Sequence, residues 1–205
     1  ECNPDDITVD YSKVLGKLPV NRVSLGVQTF NEKQLKFIRR RHDKNAIFYA
    51  VERLRQAGIG NISIDLMYGF PGETIDDWEY DIKNALSLNI EHISAYSLMY
   101  EEGTPLHHLL KQGVIKETDE DNSYNMYNIL TDRLIEAGYE HYEISNFAIN
   151  GFHSRHNSSY WEGIPYIGVG ASAHSYDIHT RQWNVSDVET YINSIENGCI
   201  PMEFE

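Results

Sequence analysis

The chain has 205 residues, 41% of them hydrophobic and 23% charged, which suffices for one globular domain with a substantial core. Its formal net charge is −14, from 17 Lys and Arg against 31 Asp and Glu, and this excess of acid argues against general binding of nucleic acid. The sequence contains no run of about 18 apolar residues, so we expect no membrane-spanning helix.

Short β-rich segments alternate with longer helical patterns over residues 22–98. The elements predicted in chain order are a strand at 22–28, a helix from 31 to about 41, a helix at 44–57, a strand at 61–68, a turn at 69–72, a helix beginning at 74 and a strand at 91–98. Asp43 can cap the second helix, and Thr74 with Asp77 resembles a capping box. This order predicts parallel βα units, arranged either as an open doubly wound sheet or as a βα barrel.

The strands read as continuous apolar runs rather than strict alternations, which is typical of a parallel sheet covered by helices. No Gly-x-Gly-x-x-Gly follows a strand, which argues against a dinucleotide-binding Rossmann domain. Further along, the pattern predicts a helix that ends at Gly138 and a fourth strand at 142–144. The tail from Asn146 is rich in Gly, Ser, His and aromatic residues, and Ser186, with Glu189 three residues on, is expected to cap a last helix.

Polar residues stand near the predicted strand ends, where parallel sheets bind ligands. Asp65 lies within an apolar strand, and because a buried carboxylate is costly unless it is paired or bound, the pattern favours a functional role. Gln28 ends the first strand and either binds a ligand or satisfies backbone groups. The basic run 39–42 is equally well explained as a solvated helix end.

A second group of candidate residues lies at 153–161. Two histidines, His153 and His156, are three residues apart, but no Cys or carboxylate joins them at a recognisable spacing, so a zinc site is disfavoured. Aromatic residues with His and Asn suit a flat conjugated ligand, although from the residues alone an ordinary aromatic core is the preferred interpretation.

The chain has two cysteines, Cys2 and Cys199. Two thiols are too few for a disulfide framework and fit a reducing cytoplasm. They are also too few to hold an iron–sulfur cluster. The sequence begins without a Met, a basic region or an apolar signal segment, and we expect a piece of a longer protein with no export signal.

Four segments together carry a resemblance to a known family: ECNP at 1–4, NRVSLGVQTF at 21–30, IDLMYGFPG at 64–72 and HISAYSL at 92–98. In order and spacing they closely resemble the oxygen-independent coproporphyrinogen III oxidases and their relatives, over nearly the whole chain. The resemblance implies an α/β fold. Residues 1–140 would form the C-terminal portion of a partial (β/α)6 radical S-adenosylmethionine (SAM) barrel, and residues 141–205 an α+β family-specific extension.

The resemblance also implies site residues. Contacts to SAM would come from Glu1, Gln28, Arg40 and Asp65, with Met67 and Met99 flanking the cofactor. The family's Cys-x-x-x-Cys-x-x-Cys motif is not in this sequence, and Cys2 does not replace it. We therefore expect SAM and a 4Fe–4S cluster in the intact protein, with no metal ligand or catalytic residue in this chain, which alone should be inactive.

Two branches of the family remain as alternatives. One branch consists of the true oxidases, which convert two propionates of coproporphyrinogen III to vinyl groups. The other branch is similar but is regarded as haem chaperones, and the segments at 142–148, 156–161 and 168–175 resemble it more closely. This branch implies haem or porphyrin contacts at His156, Asn157 and Trp161, with a client protein and an electron donor as partners. An unrelated barrel enzyme, such as an aldolase, ranks last because no buried Lys or phosphate-binding glycine loop stands at a strand end.

Overall fold

The computed structural model describes residues 1–204. The chain divides into two compact units, Glu1–His153 and Ser154–Glu205. No helix of residues 1–204 is both long enough and apolar enough to cross a membrane.

The first unit begins with a short 3-10 helix at Pro4–Asp6. Its other elements are α1 (Val9–Leu15), β1 (Val23–Gln28), α2 (Glu32–Phe37), α3 (Lys44–Gln56), β2 (Ile62–Tyr68), α4 (Ile75–Ser87), β3 (His92–Ser97), α5 (Pro105–Lys111), α6 (Glu120–Glu136), β4 (Glu140–Glu143) and β5 (Asn146–Ala148). The predicted caps of α3 and α4 are present, because the Asp43 side chain accepts from the amide of Ala46 and Thr74 forms a full capping box with Asp77. Helix α2 ends earlier than predicted, since Arg39 adopts a left-handed backbone with φ of 57°.

The five strands of the first unit form one sheet in the order β1-β2-β3-β5-β4. Strands β1, β2 and β3 are parallel, as predicted. The predicted fourth strand is β4, which runs in the same direction as β3, whereas β5 was not predicted: it forms a hairpin with β4 and lies between the two, antiparallel to both. Ile144, predicted as strand, lies in the turn of this hairpin. The hairpin therefore places β4 at the edge of the sheet, with β5 between it and β3.

The two faces of the parallel strands differ in chemistry. One face buries apolar side chains against the helices, among them Val23, Leu25, Ile64, Leu66 and Ile93 from the strands and Ile47, Leu54, Trp78, Ile82 and Leu130 from the helices. The other face carries Ser24, Gly26, Ser63, Asp65, Met67, His92, Ser94 and Tyr96, as the register of paired residues shows. The expectation of continuous apolar runs in the strands is thus wrong, because helices cover only one face of the sheet and the other face carries mostly polar side chains.

Hydrogen bonds close the polar face at the amino ends of the strands. The ring of His92 is 1% exposed, and its Nδ1 lies 2.8 Å from Ser63 Oγ while its Nε2 lies 2.7 Å from the Tyr142 hydroxyl. Tyr142 stacks on His153 with ring centroids 4.2 Å apart. Burial lowers the pKa of His92 to about 3, so the ring is neutral at physiological pH. This end of the face is therefore a satisfied structural network rather than an open site.

The second unit is a small α+β structure. It contains α7 (Arg155–Trp161), β6 (His174–Tyr176), β7 (Arg181–Asn184), α8 (Val188–Glu196) and β8 (Met202–Phe204). The strands form an antiparallel sheet in the order β6-β7-β8. The predicted cap of the last helix was wrong by one residue: Asp187, not Ser186, accepts the amide of Thr190 at 2.8 Å. A carboxylate one residue closer to the helix satisfies the free amides of its first turn directly.

Candidate functional site

An open cleft of about 320 Å³ lies on the polar face of the first unit. Its lining residues are Glu1, Cys2, Asn3, Asp6, Ser24, Gly26, Gln28, Arg40 and Asp65. Four of the residues predicted to contact SAM, namely Glu1, Gln28, Arg40 and Asp65, therefore line one cleft. Met67 and Met99 are not among the lining residues. Met67 lies half-buried two residues beyond Asp65 on the same face of β2, and Met99 follows β3 with 70% exposure.

The segment at Cys2 is fixed to the sheet through its backbone. Cys2 forms a parallel bridge with Leu25, in which its amide donates to Ser24 O at 2.9 Å and its carbonyl accepts the Gly26 amide at 3.1 Å. Residues on either side of Cys2 are consequently held beside β1 independently of their own side chains. This pairing brings Glu1 and Asn3 to the cleft.

Gln28 occupies an unusual backbone conformation at the end of β1. Its φ is 68°, in the left-handed region that glycine adopts readily and other residues rarely do. The register between β1 and β2 shifts between Leu25 and Gln28. The side chain is nonetheless buried in the cleft, with 8% exposure. A strained, buried amide at a strand end is typical of a binding position.

Gly26 leaves room for two of the cleft side chains. A Cβ atom at this position would lie 3.1 Å from Gln28 Nε2 and 3.6 Å from a guanidinium nitrogen of Arg40. The guanidinium donates to Asn3 Oδ1 at 2.7 Å. Within residues 1–204, no carboxylate lies at ion-pair distance from Arg40. Its remaining donors are thus available for an anionic or hydroxyl-bearing ligand.

Asp65 presents its carboxylate to the cleft from the middle of β2. Both carboxylate oxygens lie 3.3 Å from Ser24 Oγ, and Ser94 also hydrogen-bonds to the group. Burial raises the pKa of Asp65, and nearby Glu1 raises it further, while the two serines act in the opposite direction. A carboxylate held in this way can accept hydrogen bonds from a vicinal diol such as that of a ribose.

The loops that follow β1 and β2 are joined by a buried polar network. Gln34 accepts from the Thr29 hydroxyl at 2.6 Å and donates to Glu73 Oε1 at 3.0 Å. The other oxygen of Glu73 accepts the amides of Gly69 at 2.6 Å and Phe70 at 3.0 Å. The turn at 69–72, interpreted as structural, is thus stabilised by a carboxylate that also reaches the β1 loop.

Sequence reasoning did not find Ser24, Gly26 or Asp6 in the cleft. The signal for Ser24 and Gly26 was present as a period of two, because they share a strand face with Gln28. Asp6 offered no such signal, since it belongs to a 3-10 helix and faces the cleft only through the folding of the first residues.

The second predicted group lies on α7. His156 Nε2 lies 3.1 Å from the Tyr160 hydroxyl, and the two rings meet edge to face with centroids 5.0 Å apart. The backbone amide of Asn157 donates a hydrogen bond to Oγ of Ser154, the residue that caps α7, and Trp161 is 63% exposed. The three predicted residues thus share one short helix, where Asn157 and Trp161 are one turn apart.

The side chains present do not fit an iron–sulfur cluster. In the described part of the chain, no group of three or more His, Cys, Asp or Glu side chains could hold a metal ion. Cys2 and Cys199 are both free thiols. The cleft offers different chemistry, because the Arg40 guanidinium, the half-buried Asp65 carboxylate and the wall at Gly26 converge there.

The model of the radical SAM superfamily matches residues 1–85. Residues 1–85 are therefore recognised as radical SAM domain sequence. SAM and a 4Fe–4S cluster are the cofactors of that family. The resemblance inferred from the four sequence segments is therefore confirmed.

Several relatives within this superfamily are similar to most of the chain. It is 41% identical over 194 residues to the heme chaperone HemW of Lactococcus lactis, covering 95% of this chain and 51% of the relative. It is 42% identical over 201 residues to the Bacillus subtilis protein of the same name, covering 98% and 53%. The bovine mitochondrial radical S-adenosyl methionine domain-containing protein 1 is 32% identical, with 92% and 44% covered. The chain spans about half the length of these relatives.

Solved structures show the same fold. Coproporphyrinogen III oxidase (HemN) from Escherichia coli superposes with a TM-score of 0.78 at 21% identity, covering 98% of this chain and 49% of the oxidase. An archaeal Elp3 from Methanocaldococcus infernus gives 0.56 at 26% identity, with 62% and 30% covered. The predicted α/β class, the C-terminal part of a radical SAM barrel, is confirmed by these matches.

Proposed function

We propose that the cleft of the first unit binds SAM, as part of a longer radical SAM protein that binds haem and delivers it to client proteins. The observation that supports the SAM site is the convergence of Glu1, Gln28, Arg40 and Asp65 on one cleft of about 320 Å³. The observation that supports haem delivery is the 41–42% identity to proteins named heme chaperone over nearly the whole chain.

Each cleft residue has a chemical role in this proposal. Asp65, already oriented by Ser24, accepts the ribose hydroxyls, and Arg40, oriented by Asn3, pairs with the carboxylate of the methionine moiety. Glu1 contacts the ribose or the amino-acid portion, and Gln28 supplies an amide. Met67 and Met99 flank the cofactor with polarisable apolar surface.

SAM, when bound, would supply radical chemistry after accepting an electron from the 4Fe–4S cluster expected in the longer protein. The contribution of these residues is to bind and orient the cofactor. The cleft positions its ligand between β1 and β2, and the hydrogen-bonded network at His92 closes the opposite end of the face. An ordered site of this kind fixes the ligand geometry before reaction.

Haem is the proposed cargo, and the second unit is the proposed haem-binding region. His156 supplies an imidazole on an exposed helix, with Asn157 and Trp161 beside it on α7. A client protein and an electron donor are the proposed partners. The two free cysteines support a reducing, cytoplasmic location for the protein.

The SAM proposal is tested by calorimetry on the full-length, anaerobically reconstituted protein. Asp65→Ala and Gln28→Ala should each weaken SAM binding, whereas Asp132→Asn, an exposed carboxylate on α6, should leave the affinity unchanged. Equal SAM affinity in the wild type and both cleft variants would refute the assignment of the cleft.

The cargo proposal is tested with the same preparation. Haem should bind stoichiometrically and more weakly to His156→Ala, while His179→Ala in an exposed turn of the same unit serves as the control. The protein is also incubated with SAM, a reductant and coproporphyrinogen III, followed by mass spectrometry. Turnover with loss of two carboxyl groups would identify the oxidase activity instead and overturn the chaperone proposal.

A further inference from the structure

The second unit contains a cavity of about 440 Å³ whose lining is mostly aromatic. Its lining residues are Tyr160, Gly163, Tyr166, Tyr176 and Arg181. Three of the five are tyrosines, and the one charged side chain is a cation. No predicted haem contact is among the lining residues, although Tyr160 hydrogen-bonds to His156.

The tyrosines of this cavity are held by backbone and ring contacts. Tyr166 and Tyr176 form an antiparallel bridge in which each amide donates to the other's carbonyl at 2.9 Å. Tyr160 meets Tyr166 edge to face, with centroids 4.9 Å apart and planes at 88°. Gly163 contributes no side chain between α7 and this bridge, and its φ of 64° permits the turn there. The aromatic wall is therefore built before a ligand arrives.

Arg181 stands at the edge of this wall. It pairs in register with Tyr176 across β6 and β7, and its side chain is exposed. Among the side chains that the structure describes, residues 1–202, no carboxylate lies at ion-pair distance from Arg181. The protein carries 31 acidic residues against 17 basic ones, so a cation beside an aromatic cavity is a local exception. Such a pair of features recognises a flat apolar ring that bears an anionic group.

We propose that this cavity binds one carboxylate-bearing edge of a porphyrin. Arg181 pairs with a propionate, and Tyr166 and Tyr176 pack against the ring. The ring then extends from the cavity toward α7, where Tyr160 orients the imidazole of His156. This inference rests on the proposed haem-binding function. It assigns the residues that contact the carboxylate-bearing edge of the porphyrin, not a ligand to the iron.

The test uses metal-free ligands, so that coordination of iron makes no contribution. Protoporphyrin IX and its dimethyl ester are titrated into full-length protein in one detergent-containing buffer, followed by porphyrin absorbance. The wild type should bind the dicarboxylate roughly two- to fivefold more tightly than the ester, the range expected of an exposed ion pair. Arg181→Gln should abolish that preference without changing ester binding, and Arg181→Lys should restore part of it. Tyr166→Leu should weaken binding of both ligands to a similar extent.

Arg155→Gln is the matched control, since it removes an exposed arginine of the same unit outside the cavity. Equal binding of acid and ester by the wild type, or an equal loss in Arg155→Gln and Arg181→Gln, would overturn the inference and leave haem binding at His156 standing. Failure of the wild type to bind haem or either porphyrin would overturn the proposed haem function as well. Circular dichroism of each variant confirms that a loss of affinity is not a loss of fold.

Discussion

The amide of Phe30 donates a 2.8 Å hydrogen bond to Oδ1 of Asp81, a side chain with no exposure to solvent. This bond connects the loop that follows Gln28, the last residue of β1, to the middle of α4. The second carboxylate oxygen of Asp81 has no hydrogen-bond partner among residues 1–204. Burial, with smaller contributions from the carboxylates of Glu73 and Asp77, raises the pKa of Asp81 to about 7 against the opposing effect of hydrogen bonds from the Thr29 side chain and the Phe30 amide.

Asp81 should make the stability of the protein depend on pH. Because the pKa of the folded state is raised above that of the unfolded chain, the stabilisation is complete below about pH 4 and is lost as the pH rises toward 7. The loss attributable to Asp81 is up to roughly 4 kcal/mol of unfolding free energy. In Asp81→Asn this decline should be much smaller. Urea unfolding of both proteins at pH 5 and 8 measures the difference, with Asp132→Asn as the control, and identical pH slopes in wild type and Asp81→Asn would contradict it.

Gly26→Ala should weaken SAM binding without unfolding the protein. The new methyl carbon would lie 3.1 Å from Gln28 Nε2, so the Gln28 side chain must shift, whereas its 3.6 Å distance from the Arg40 guanidinium is ordinary van der Waals contact. We expect a loss of roughly tenfold in affinity, in line with the usual cost of overpacking. Gly60→Ala is the matched control, because nothing lies within 4 Å of a Cβ at that exposed glycine. Calorimetry showing equal affinity in the two variants would refute the close packing of this wall.

At position 28, glycine should give a more stable protein than alanine, which is the reverse of the usual order. Since the backbone there has a φ of 68°, Gln28→Gly should be more stable than Gln28→Ala by about 1 kcal/mol. At Lys83, exposed within α4, the order should be the ordinary one, with alanine more stable by roughly 1 kcal/mol. Denaturant unfolding of the four variants checks both comparisons. The same order at both positions would show that Gln28 is not held in a left-handed conformation in solution.

As the pH is lowered, SAM affinity should begin to fall at a higher pH than it would if Asp65 had the ordinary pKa of an aspartate. Burial raises the pKa of Asp65, so the hydrogen-bond-accepting carboxylate is lost as the pH falls through this raised value. Asp65→Asn should bind SAM more weakly at neutral pH and lose this acid-dependent component. Dissociation constants measured from pH 8 to pH 5 test the expectation. An acid-dependent loss that is unchanged in Asp65→Asn would assign it to another group.

Local patterns predicted the elements on which the cleft stands. Strands β1 to β3 and helices α3 and α4 follow from apolar runs and from caps such as Asp43 and Thr74. Helix α5 was missed because none of its seven residues is buried, so it leaves no apolar stripe to detect. Strand β5, which lies between β3 and β4, was missed because its three residues are too few to show a strand period.

The cleft itself was only partly predictable. Asp65 and Gln28 stood out through burial cost and position, whereas Glu1 and Arg40 were identified by resemblance to a family. The cleft contacts of both depend on distant pairings, the bridge of Cys2 to β1 and the bond from Arg40 to Asn3. The contacts of Met67 and Met99 with SAM stay predictions. The proposed boundary between residues 1–140 and 141–205 also stays a prediction, and the contacts of the chain separate the units at His153.

The left-handed backbone of Gln28 also has an evolutionary consequence. A glycine at this place would fold with less conformational strain, so a change to glycine would stabilise the fold if the glutamine side chain had no other role. Retention of the amide therefore requires continuing selection on what it binds. Related proteins that keep the fold but no longer bind the cofactor would be expected to carry glycine or asparagine at position 28. The residue at this position would therefore distinguish relatives that bind the cofactor from relatives that do not.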